Sequence, residues 1–102
     1  MAKVIAMYRT PDDTNAFDRY YYDTHVPIAK RIPGLRHYEV TAGPVTTLTG
    51  SSPYYLIATL TFDSMAAIRS ALASPEGQAT AADLANFATT GVDLFFADTR
   101  AI

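Results

Sequence analysis

The chain has 102 residues, 49% hydrophobic and 18% charged, with a formal net charge of −2, seven tyrosines and no cysteine or tryptophan. One compact core is feasible at this length and a second is not, so a single domain over residues 1–102 is expected. Without cysteine there is no disulfide framework or thiolate chemistry, and without a Lys/Arg cluster a nucleic-acid partner is not expected.

Val4 to Tyr8 is β-rich and ends at the turn cluster Thr10-Pro11-Asp12-Asp13, which also offers N-cap residues to the next element. From Asn15 to Ile32 the period becomes helical. At ~100° per residue, Phe17, Tyr21, His25, Ile28 and Ile32 fall on one face. Pro27 cannot donate to the carbonyl of Asp23, so it is expected to kink or divide this helix beside the histidine, and Pro33-Gly34 ends it.

Leu35 to Ala42 reads as a second strand and Val45 to Pro53 as a loop. Tyr54 to Phe62 carries the clearest strand alternation, with Tyr54, Leu56, Ala58, Leu60 and Phe62 on one face and Tyr55, Ile57, Thr59 and Thr61 on the other. Between Arg36 and Asp63 the only charge is Glu39. A strand face exposed to water normally carries more, so both faces of these strands are expected to be covered.

Asp63-Ser64 caps a helix with an apolar stripe at Met65, Ile68 and Leu72. Ser74-Pro75-Glu76 opens a second, Ala-rich helical piece that runs past Leu84 and Phe87 to Gly91. Val92 to Ala97 is the last strand. The order strand, helix, strand, strand, helix, strand is that of an α+β, ferredoxin-like βαββαβ domain, a four-stranded antiparallel sheet with both helices on one face. The uncharged second face then calls for a homodimer formed sheet to sheet. No apolar stretch approaches the ~20 residues of a membrane span, and no signal-peptide pattern follows Met1, so no membrane partner and a cytoplasmic location are expected.

Phosphate-binding glycine loops, zinc-protease helices and nucleophile elbows are all missing, and the two histidines have no acid at metal-ligand spacing. No cofactor and no metal are therefore expected. His25 is the strongest candidate for chemistry, because a neutral imidazole on the apolar face of a divided helix can take or give a proton. The bland alternative is a histidine bonded to a backbone carbonyl freed at Pro27. Tyr21 shares the stripe of His25, either orienting a ligand or serving as a core aromatic. Phe17 and Ile28 on that stripe and Tyr8 on the first strand, whose face is left open, are candidates to bind a ligand beside it. Tyr54 or Tyr55 is a further candidate, with the face of each left open. Asp93 is a possible partner for His25 or His37, or else a strand-end charge facing water.

Phe17-x-x-Tyr20-Tyr21-x-x-x-His25-x-Pro27-Ile28, followed by Ile32-Pro33-Gly34-Leu35-x-x-Tyr38, resembles the signature of the EthD family, in the dimeric α+β barrel superfamily. The likeness continues through Phe62-Asp63-Ser64, Leu72-Ala73-Ser74-Pro75-Glu76-Gly77 and Asp83-x-x-Asn86-Phe87. It implies a ferredoxin-like subunit that pairs into a dimeric α+β barrel, with the family histidine at His25. Relatives include a methylmuconolactone isomerase and polyketide monooxygenases that work without metal or flavin. The resemblance thus implies a cofactor-independent oxidoreductase or isomerase acting on a small hydrophobic molecule in degradation or secondary metabolism. A non-catalytic accessory or ligand-binding homodimer supporting a neighbouring oxygenase is the alternative.

Overall fold

The computed structural model describes residues 1–102. Strand β1 (Ala2–Arg9) leads into helix α1 (Thr14–Tyr20), a π-helical turn (Tyr21–His25) and helix α2 (Val26–Ala29). Strand β2 (His37–Val40), a small hairpin of β3 (Thr46–Thr47) and β4 (Gly50–Ser51), and strand β5 (Tyr54–Phe62) follow. Helices α3 (Met65–Ala73) and α4 (Pro75–Phe87) precede the last strand, β6 (Val92–Asp98). The main sheet is antiparallel with strand order β2-β5-β1-β6, the ferredoxin-like arrangement.

Local chemistry sets most boundaries. Asp13 caps α1 by accepting from the N–H of Ala16, Ser64 caps α3 through Ala67, and Ser74 caps α4 through Gly77. Pro75 occupies the first turn of α4, where its missing N–H costs nothing. α4 stops at Phe87 rather than at Gly91, and a hairpin lies inside the expected loop. Both differences fall where Thr, Ser and Gly leave the local period weak.

Alternation along β1 sends Ala2, Val4, Ala6 and Tyr8 into the core and leaves Lys3, Ile5 and Met7 half-buried on the opposite face. On β5 the same rule buries Leu56, Ala58, Leu60 and Phe62. The alternation fails at the start of β5. A register shift between Tyr8 and Arg9 sets Arg9 against Tyr54 and Tyr8 against Leu56, so Tyr55 is the extra residue. Tyr55 consequently turns to the helices, its ring 5.5 Å from that of Phe17 and its hydroxyl donating to Asp18. Tyr54 faces the other way, opposite to the assignment from alternation, and donates to Asp93 at 2.7 Å.

The helices cover one face of the sheet, and the molecule is a slab of 35 × 34 × 18 Å. On the other face lie Ile5, Met7, Ile57 and Phe95. The two charges that bracket the charge-poor span close on each other, Arg36 holding Asp63 in a two-bond fork at 3.1 and 2.8 Å.

Candidate active site

Phe17 and Tyr21 lie one α-helical turn apart, and their rings stack at 5.8 Å. At Tyr21 the ladder changes, because the N–H of Val26 donates to the Tyr21 carbonyl five residues back. A turn with one extra residue advances the helix phase by about 100°. Ala29 rather than Ile28 therefore follows His25 on the inner face. Ala29 lines the central cavity, whereas Ile28 stands half-buried away from it. Pro27, the expected kink, sits in the first turn of α2. The helix is divided at the histidine by a change of period, not by a break.

His25 is 3% exposed, with Nδ1 2.9 Å from Oδ2 of Asp83 on α4. The other oxygen of Asp83 accepts from the Tyr20 hydroxyl at 2.6 Å and from the Asn86 amide at 2.9 Å. Burial acts to raise the Asp83 carboxyl, but the hydrogen bonds from Tyr20, Asn86 and His25 outweigh it and hold the group below the ordinary carboxylate range. Burial is also the largest influence on His25, drawing the imidazole below its ordinary value against the opposing pull of Asp83. Near neutral pH the pair is thus a neutral imidazole beside an ionised carboxylate. Nδ1 carries the proton toward Asp83, and Nε2 is left as a bare acceptor. Nε2 has no partner in the chain, and no sealed side-chain nitrogen or oxygen lacks one, so Nε2 opens on the cavity that His25 lines.

That cavity, about 80 Å³, lies between the helices and the covered face of the sheet. Ala6, Ala58 and Leu60 form part of its floor, Ile68 and Leu84 close it from the helices, and no charged side chain lines it. Leu72, Leu94 and Phe96, each more than a third exposed, also line it and mark its way to solvent beside β6. Tyr8, Tyr21 and Tyr38 contribute hydroxyls, those of Tyr21 and Tyr38 being 2.7 Å apart. Burial is the main cause that pushes all three phenols upward, so they remain protonated donors.

Of the residues singled out in the sequence, the structure brings His25, Tyr21 and Tyr8 to the cavity and leaves Phe17 and Ile28 off it. Phe17 stands behind the wall, edge-on to Tyr8 at 5.6 Å. Neither Tyr54 nor Tyr55 lines it. Asp93 pairs with Arg9 and Tyr54 on the opposite face of the sheet, not with a histidine. His37 lies on that face too, 3.9 Å from Glu39. The partner of His25 is Asp83, whose only sequence-level signal is the Asp83-x-x-Asn86-Phe87 spacing that sets these three on one side of α4. No three metal-ligating side chains converge anywhere in the chain.

Fold and site together define a ferredoxin-like α+β domain with a buried His–Asp pair at the edge of an apolar cleft between helices and sheet. The chain belongs to the EthD family, the EthD domain matching residues 9–91. It is 42% identical over 103 residues to an uncharacterised 11.0 kDa protein encoded in the thcB–thcC intergenic region of Rhodococcus erythropolis, covering 100% of this chain and 98% of that one. The crystal structure of an EthD family protein from Bacillus halodurans superimposes with a TM-score of 0.90 at 35% identity, covering 98% and 99% of the two chains. A cofactor-independent oxygenase from Streptomyces nogalater shares the fold, with a TM-score of 0.69 at 15% identity over 99% of this chain and 94% of that one.

Proposed function

We propose that the chain is a cofactor-independent enzyme of the oxygenase or isomerase type, acting on a small hydrophobic organic molecule with His25 as general base and acid. One observation carries this reading: Asp83 holds the imidazole through Nδ1 while Nε2 faces an apolar cavity. A base in that position takes a proton from an acidic O–H or C–H of the bound molecule. If the proton returns at another carbon, the reaction is an isomerisation. If the resulting anion meets dioxygen, an activated CH2 and one O2 give a C=O and one water. Such proton transfer supplies ~10²–10⁴-fold, enough for substrates that are already acidic or electron-rich. The fold shared with a cofactor-independent oxygenase agrees with the second course, as an analogy of fold only. The working unit in this reading is a homodimer paired through the bare sheet face.

The test is a panel of phenols and cyclic ketones, followed by oxygen consumption and by incorporation of solvent deuterium. Turnover is expected from the wild type and a loss of at least ~10²-fold from His25→Ala; full turnover by the variant overturns the role of His25. A second reading, an accessory or ligand-binding dimer, draws support from the Rhodococcus erythropolis relative, whose gene lies between two others. Tight binding from the panel with neither oxygen uptake nor exchange would favour it.

A further inference from the structure

Two polar atoms on the cavity wall have nothing in the protein to bond. One is Nε2 of His25. The other is the hydroxyl of Tyr8, a residue 2% exposed whose O–H makes no hydrogen bond within the chain and which burial keeps protonated. Since no sealed side-chain oxygen lacks a partner, this hydroxyl also reaches the cavity. A buried phenol and a buried imidazole left without partners are costly unless something occupies the space and bonds them. In the neighbouring pair, Tyr21 and Tyr38, one hydroxyl donates to the other, so each oxygen has a partner and one further O–H remains on the cavity wall.

The chemistry of the two free atoms differs. Nε2 accepts and cannot donate while Asp83 keeps the proton on Nδ1; the Tyr8 O–H donates. A single ligand hydroxyl answers both, donating to Nε2 and accepting from Tyr8. No lysine or arginine lines the cavity and Asp83 stands behind His25, so a carboxylate or phosphate would be desolvated without compensation. The cavity of about 80 Å³ is roughly half the ~150 Å³ of a closed apolar cavity that takes benzene, so a single ring is the upper limit and part of it must reach into the open way beside β6.

We propose that the cavity binds a neutral one-ring hydroxyl compound of the phenol class, its oxygen bridging His25 Nε2 and the Tyr8 hydroxyl. This assignment rests on the proposed site but not on turnover at it. Four probes separate the contributions: phenol donates and accepts, anisole only accepts, toluene does neither, and benzoate is charged. By calorimetric titration near neutral pH, affinity is expected to fall from phenol to anisole to toluene by about three- to tenfold at each step, with benzoate weakest. Tyr8→Phe removes a hydroxyl that bonds nothing in the chain, so the fold is retained. In that variant anisole falls to the level of toluene, and phenol loses a similar factor. Phenol, unlike anisole, shifts the Nε2 nitrogen resonance of His25. The inference is overturned if toluene binds as tightly as phenol, if benzoate binds most tightly, if Tyr8→Phe changes nothing, or if none of the four binds. Preference for phenol without turnover of any substrate would instead sink the acid–base reading and keep this one. Turnover lost in His25→Ala with no preference for phenol would do the reverse.

Discussion

Asp83 sets the behaviour of His25 in two separable ways. It fixes the tautomer, and it raises the imidazole against the larger downward effect of burial. Asp83→Asn removes both. Its amide can donate to Nδ1, which moves the ring proton to Nε2 and aims a donor at the cavity where an acceptor is needed. Turnover is expected to fall by ~10²–10⁴-fold, and the acid limb of any residual pH–rate profile to move to lower pH, because the lost charge was holding the imidazole up. A limb that stays put or moves upward would contradict the assignment. The same pair links pH to stability. The imidazole is lowered on folding, so between its folded value and its ordinary 6.5 the unfolded chain binds more protons, and stability falls as pH drops through that window. Asp83 is depressed on folding, so its contribution is intact above the ordinary 3.8 and is lost as pH falls through its folded value. In thermal melts the wild type is expected to lose Tm between neutral and mildly acidic pH, and His25→Gln to lose less over the same interval. Phe17 to His25 was legible as one apolar face because α-helical spacing holds that far. Asp83 was not legible as the partner of His25, since it lies 58 residues away and the Asp83-x-x-Asn86-Phe87 spacing marks a helix face without saying what that face meets.

Among the elements, the crossing of α3 and α4 depends on Gly77. A Cβ there would lie 2.0 Å from the Ala71 carbonyl oxygen and 2.9 Å from the Leu72 Cα, both backbone atoms that cannot step aside. Alanine has the better helix propensity by ~1 kcal/mol, so propensity and packing predict opposite signs for Gly77→Ala. The clash wins, at a net cost of about 1–3 kcal/mol and a Tm lower by ~5 °C or more. A raised Tm would show that the helices separate freely. The close approach also holds Ile68 and Leu84 against the cavity, so the variant should loosen phenol binding as it loses stability. Caps and alternation make elements readable: Ser64 and Ser74 each declare themselves within four residues, and the run Leu56 to Phe62 within seven. The π-helical turn and the Tyr55 bulge do not, because each inserts one residue whose only sign is a shift of phase, upstream of Tyr55 in the strand and downstream of the turn in the helix. That shift takes Ile28 off the face that α-helical counting assigns it and replaces it with Ala29.

At the scale of the molecule, the 18 Å thickness accommodates one helix layer and one sheet, with nothing over the second sheet face. Ile5, Met7 and Ile57 meet at its centre, where Met7 pairs with Ile57 across β1 and β5, and Phe95 at its edge is 53% exposed. Charge on this face stays at the margins: His37 and Glu39 on β2, Asp93 at the start of β6 tied to Arg9, and Lys3 turned to Thr61. An apolar centre with a polar rim is the anatomy of an association surface, and a two-fold axis through it lets the same patch serve both copies. The wild type is therefore expected to sediment at twice 11.1 kDa at micromolar concentration. Ile57→Glu, which places two carboxylates near the axis, should give a folded single chain with an unchanged far-ultraviolet spectrum. A wild-type mass of one chain would refute the paired sheet, and an Ile57→Glu protein that still sediments as two chains would place the contact elsewhere. Because Ile57 points away from the cavity while Ala58 lines it, the monomer should still prefer phenol to toluene, so the two properties of β5 can be read independently from its two faces.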